Sequence, residues 1–189
     1  VFETHFHADF VSGHLDLAGK TGASIVYGPT AKPGFDALVA EDGQLFKVGG
    51  VTVKVIHTPG HTMESSCFLI IDEQGKEHGI ITGDTLFIGD VGRPDLAQHV
   101  IAELAAHLYD SLRNKIMPLS DNLIVYPNHG AGSACGKNMS KETTDTLGHQ
   151  KQVNYALRAD MSKEEFIREL LHGLTTPPAY FPKNVLLNL

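Results

Sequence analysis

Cysteine is scarce in this sequence, positive charge is in deficit and long apolar runs are absent, and each shortage excludes something. Only two cysteines occur in 189 residues, Cys67 and Cys135, with no CxxC pair. Neither a disulfide scaffold nor a zinc ribbon can be built from them. Lysine and arginine number 15 against 22 aspartates and glutamates, a formal net charge of −7. That sign disfavours a protein that tracks nucleic-acid phosphates, so no nucleic-acid partner is expected. No apolar stretch approaches the ~20 residues that a membrane-spanning helix needs, so no membrane partner is expected either. No repeat or low-complexity tract is visible. What the chain does have is histidine, 11 residues in all, which points to metal chemistry in a globular protein. The length suits one domain over residues 1–189.

The chain opens on Val1-Phe2-Glu3-Thr4, which has strand character and no initiator methionine, and its last residues have no terminal character. The expectation is a domain cut from something longer. Strands are expected at residues 1–4, 24–27, 44–48, 51–57, 66–71, 79–82 and 122–126. Gly49-Gly50 reads as the turn of a hairpin. Residues 67–71 are apolar throughout, as in a strand covered on both faces. The longest helix is expected over 95–116, where Leu96, Val100, Leu104, Leu108, Leu112 and Ile116 share an i+4 row, with Pro94 at its start and Pro118 at its end. Shorter helices are expected at 12–20, 143–156 and 162–171. Strands lying between helices predict an α+β fold with helices packed outside sheets.

Thr4-His5-Phe6-His7-Ala8-Asp9 follows the first expected strand. Alternate positions there can present His5, His7 and Asp9 to one side, a ligand set suited to a borderline divalent metal. A loop of satisfied polar side chains is the plainer reading of that string alone. Three more strands end in the same way, however. His57-Thr58-Pro59-Gly60-His61 turns His61 away from its strand, Thr82-Gly83-Asp84 puts a carboxylate at a strand end, and Tyr126-Pro127-Asn128-His129 repeats the pattern with a histidine. Ligands on several strand ends that meet at one sheet edge make a metal centre. His57 reads as a hydrogen-bonded strand-end residue. His99, Glu103 and His107 read as a solvated helix face, and His14, His78, His149 and His172 have no ligand-like neighbourhood.

THxHxD, HTPGHT, GDTLF and PxHG in this order resemble the metallo-β-lactamase superfamily. The longer strings ETHFHADF, GDVGRPD and HGAGSACG are similar to persulfide dioxygenases, especially the bacterial ones fused to rhodanese domains. The resemblance covers essentially the whole chain. It implies an αββα sandwich whose first strands are missing from the N-terminus, with rhodanese domains following the chain or associated with it. It also implies a cytoplasmic bacterial protein that forms homo-oligomers.

Binuclear hydrolases of the superfamily carry THxHxDH, whereas here Phe10 follows Asp9, and a phenyl ring cannot bind a second metal. What stays intact is His5, His61 and Asp84. Two imidazoles and a carboxylate form the facial triad of non-haem Fe(II) oxygenases. The resemblance therefore implies one Fe(II) per chain, with zinc as a substitute in purified protein. The reaction would take a low-molecular-weight thiol persulfide and O2 to sulfite and free thiol. Asp9, His129 and Cys135 are the catalytic candidates, with His7, Asp9 and His129 orienting ligands and moving protons around the metal. Cys135 is either a small buried residue or a thiol at the rim of the site that accepts a persulfide sulfur. Cys67 is read as packing. Arg93 is read as structural, pairing a carboxylate beneath the metal loop, with a substrate clamp as the alternative. The rival activity is a thioester hydrolase resembling glyoxalase II, with zinc or two metals. A non-catalytic sulfur-binding module is a third reading, which the complete triad argues against.

Overall fold

Alternation along the central strands sets the layering. The computed structural model describes residues 1–96 and 101–189. Strands β1 (Val26–Tyr27) and β2 (Leu38–Val39) form a small parallel pair, and β3 (Leu45–Val48), β4 (Val51–His57), β5 (Ser66–Ile71), β6 (Glu77–Gly83), β7 (Ile124–Pro127) and β8 (Asp145–Thr146) form a six-stranded sheet in chain order. Gly49-Gly50 closes the β3–β4 hairpin with Val48 paired to Val51, and Gly49 takes the positive φ of 60° that such a turn demands. Every neighbour in the large sheet is antiparallel except β6 and β7. A parallel pair needs a crossover, and helix α2 (Ile101–Ser111) lies within it.

Successive side chains of a strand point to opposite faces. Cys67, Leu69, Ile80 and Val125 accordingly pack with Ala105 and Leu108 of α2 and with Phe166 and Leu170 of α4 (Lys163–Leu171). On the other face Val53, Val55 and Phe68 pack against Val26, Phe2 and Phe46. Helix α1 (His14–Thr21) covers the small sheet, with Ala18 against Ile25 and Tyr27. The order of layers is helix, sheet, sheet, helix. Both β5 and the whole of β4 keep the bounds expected from sequence.

Several expectations are corrected. Residues 1–4 are not a strand: one bridge, Phe2 to Val26, remains, because Val1 and Glu3 bond to Val26 while the Thr4 carbonyl accepts from Ser66 in the other sheet. Asp95 and Leu96 lie outside any helix, and Val100 and His99 lie outside the described residues. After Ser111 the helix widens into a π turn over Leu112–Ile116, closed by Met117 N–H to the Leu112 carbonyl at 2.9 Å. The expected helix over 143–156 is interrupted. Its first residues form β8, α3 (Leu147–Val153) begins after the Thr146 cap, and Asn154 is extended before a 3-10 turn. The Asn154 amide is engaged by the carbonyls of Phe87 and Asp90, which holds that break. Helix α5 (Phe181–Asn188) and strand β2 were not expected.

Candidate metal centre

Strand direction gathers the site. Since β4 and β5 are antiparallel, as are β5 and β6, and β6 and β7 are parallel, the ends of β4, β6 and β7 share one edge. His61 lies in the loop after β4, Asp84 immediately after β6 and His129 just beyond β7. Gly83 has φ 55°, and a Cβ there would lie 2.8 Å from Thr4 Cβ, so only glycine lets the Asp84 loop approach the segment carrying His5. Thr58 and Thr85 hydroxyls, buried and 2.8 Å apart, tie the loops after β4 and β6 together.

His5, His61 and Asp84 are buried, and each offers a ligand atom within 4.8 Å of the other two. Asp84 Oδ2 is 3.3 Å from His61 Nε2 and 3.9 Å from His5 Nε2. Each ring is held by its other nitrogen. His61 Nδ1 faces the Arg93 carbonyl at 2.7 Å. A carbonyl only accepts, so Nδ1 carries the proton and Nε2 presents its lone pair towards Asp84. His5 Nδ1 lies 2.9 Å from Thr4 Oγ1, which also accepts from Asn128 Nδ2 at 2.9 Å. His61 Nε2 and both Asp84 carboxylate oxygens are buried with no hydrogen-bond partner. Three such atoms facing one point are costly unless a cation satisfies them, and the donor set fits a divalent metal.

Burial pushes His5 well down, further than the Asp84 charge can offset, which keeps the ring neutral and able to coordinate. His7 falls to about 4, also through burial, against the opposing charges of Asp84 and Asp9. Burial would raise Asp84, but His5, His61 and His129 outweigh it and hold the carboxyl well below its usual range. His129 is moved the other way: burial lowers it, and Asp84 and Asp9 together raise it above its ordinary value.

A second donor group adjoins the first. Ligand atoms of His7, Asp9 and His129 lie within 4.8 Å of one another. His129 Nε2 is 3.4 Å from both Asp9 Oδ2 and Asp84 Oδ2. Phe10 supplies no donor; its ring, 44% exposed, packs on the His7 ring at 4.3 Å. Cys135 sits beside Asp84 and His129 within the same distance, but it is buried against Ala8, Phe87 and Phe181 and does not line the rim. Burial, with Asp84 and Asp9 adding to it, pushes its thiol far up, so the thiolate expected of a sulfur acceptor is disfavoured. Arg93 is structural: its guanidinium grips Asp95 at 2.6 and 2.7 Å and the carbonyls of Ala134 and Thr175. Cys67 is packing, its thiol raised to about 11 by burial. His57 bonds the Met63 carbonyl at 2.8 Å, and His107 faces solvent beside Glu103. Sequence reasoning missed Glu3, which lies 3.7 Å from His7 and 3.6 Å from a buried His14. Burial raises its carboxyl to about 7. Only the fold brings these three together.

Residues 1–129 match the Metallo-beta-lactamase superfamily. The chain belongs to that superfamily. Its fold is the metallo-β-lactamase fold, and the centre just described is the superfamily's metal site, with these His and Asp side chains as candidate ligands. A metallo-beta-lactamase structure from Staphylococcus aureus aligns with TM-score 0.91 and 34% identity, covering 99% of this chain and 56% of that one. The structure of ETHE1 from Myxococcus xanthus aligns with TM-score 0.78 and 30% identity over 100% of this chain and 77% of that one. Among curated proteins, a probable hydroxyacylglutathione hydrolase of Schizosaccharomyces pombe is 31% identical over 150 residues, 79% of this chain and 55% of its own length. A hydroxyacylglutathione hydrolase of Rhizobium etli is 37% identical over 133 residues, 68% of this chain and 47% of its own length. The chain thus spans about half the length of the curated relatives it matches. No helix among the described residues is long and apolar enough to cross a membrane.

Proposed function

We propose that the chain is a mononuclear Fe(II) persulfide dioxygenase. The observation that carries this reading is the donor set: two imidazoles and one carboxylate, His5, His61 and Asp84, buried and turned towards one point. That combination suits Fe(II) and leaves positions for two further ligands. Iron held there would activate O2 by reversible electron transfer, while the four electrons that reduce O2 come from the sulfane sulfur. The net change is RSSH + O2 + H2O to RSH, sulfite and two protons: the sulfane sulfur gains both oxygen atoms of O2, and water takes part in cleaving the S–S bond. The protein's own tasks are more limited. Asp84 offsets the cation's charge, and Arg93 holds the tautomer of His61 through its backbone carbonyl. His129, 3.4 Å from both Asp84 and Asp9, is placed to take up and pass on a proton. A cavity of about 400 Å³, lined by Phe6, His61, Thr62, Leu104 and Val185, borders the centre and can seat the thiol carrier. A fused or associated rhodanese domain would handle the sulfur on either side of this step. The motif strings that resemble persulfide dioxygenases and the alignment with ETHE1 over the whole of this chain support this reading.

One observation favours a second reading. His7, Asp9 and His129 still converge without a histidine at position 10, so a second ion has three donors for a binuclear thioester hydrolase. The hydroxyacylglutathione hydrolases among the relatives point the same way. Metal analysis with two assays on the same preparation decides. The dioxygenase reading expects near-stoichiometric iron and O2 uptake with one or more of a panel of thiol persulfides. Two metals per chain with thioester hydrolysis and no O2 uptake would overturn it.

A further inference from the structure

The segment carrying His5, His7 and Asp9 has almost nothing of its own to hold it. Among the described residues no backbone–backbone hydrogen bond joins any two of residues 5–12. Two side chains from far away in the sequence do that work. Glu64 accepts from the Phe6 N–H at 3.0 Å, and Asn188 of α5 takes the rest. Asn188 Nδ2 donates to the His7 carbonyl at 2.7 Å and to the Phe10 carbonyl at 2.8 Å, while its Oδ1 accepts from the Ser12 N–H at 2.8 Å. The side chain is wholly buried, and these three groups bracket Asp9. A short amide supplies two donors and an acceptor from one small fork, which neither a carboxylate nor an aliphatic side chain can do.

We propose that Asn188 is a positioning residue of the metal centre: it fixes the turn over residues 7–12, and through it the continuous segment from His5 to Asp9, so that His5 keeps its place beside His61 and Asp84 and His7 and Asp9 keep theirs against His129. It touches no reacting atom. It acts on the centre through the backbone, and α5 becomes part of the metal site although it contributes no ligand. The inference rests on the metal centre described above and not on the reaction assigned to it.

Co(II) added to the metal-stripped chain is the probe, read by its visible d–d spectrum and its dissociation constant. Asn188→Asp keeps the size of the side chain but turns an acceptor towards two carbonyls. It should weaken Co(II) binding about ten- to hundredfold, the usual range for groups that orient ligands, and alter the spectrum. Asn188→Ala, which leaves room for water, should move both readouts the same way by less, and it decides the matter if the Asp variant does not fold. Leu170→Ala, in the core of α4 away from the centre, is the control. It should lower the melting temperature and leave the Co(II) affinity and spectrum unchanged. Wild-type Co(II) affinity and spectrum in a folded Asn188 variant would overturn the proposal. So would an equal loss of Co(II) binding in Leu170→Ala. Failure of the parent chain to bind Co(II) would strike the metal centre itself.

Discussion

Three imidazoles surround Asp84, and its charge is what permits a cation to sit among them at modest cost. Asp84→Ala leaves two imidazoles with no charged ligand and should abolish iron retention, read as iron per chain after gel filtration; retained iron would remove Asp84 from the ligand set. Glu3 shows the opposite balance. Its carboxyl stands at about 7 because burial disfavours its charge. Between its unfolded value and about 7 the folded chain keeps a proton that the unfolded chain has released, so rising pH removes stability. Glutamine cannot ionise, so the melting temperature of metal-free Glu3→Gln relative to the parent should climb from about pH 5 to about pH 8. A difference that stays constant across that window would show an ordinary carboxylate. Both thiols are buried and raised. Neither should react with iodoacetamide in the native metal-free chain at about pH 8, and both should react after denaturation. Rapid native alkylation of Cys135 would restore it as a sulfur acceptor.

Helix α4 is the element whose start was legible to a residue, because its signal is local. The Ser162 hydroxyl accepts from the Glu165 N–H, and the Glu165 carboxylate accepts from the Ser162 N–H in return. Ser162→Ala should cost about 1 kcal/mol in urea unfolding with no change in metal content. Strands β4 and β5 were legible for a similar reason, since their apolar pattern persists over six or seven residues. The two-residue strands β2 and β8 are too short to carry a period. Helix α5 hides because Leu186 and Leu187 are exposed, which blurs its apolar stripe. The break after α3 lies in what the Asn154 side chain meets, which no local pattern records.

At the scale of the molecule, four loops at one sheet edge made the centre readable, since each places a His or Asp after a strand or bridge. How the donors divide into two groups, His5, His61 and Asp84 beside His7, Asp9 and His129, came from the resemblance and not from spacing, because it depends on side-chain directions set by strand ends far apart in the chain. Nor was the burial of Cys135, which follows from packing against Phe87 and Phe181. Phe10→His tests the division directly: it should raise the second equivalent of metal taken up, measured by elemental analysis, without creating efficient thioester hydrolysis. A large gain in hydrolysis would favour the hydrolase reading. The wide spacing of these contacts also has a consequence in time. Thr4 and Asn128 meet across 124 residues of sequence, and His7 and Asn188 across 181. Contacts of such separation form late, after the local hairpins and helices. The centre is therefore expected to assemble after those local elements, and a chain in which these distant contacts have not formed has the histidines but no place in which they can hold an ion together.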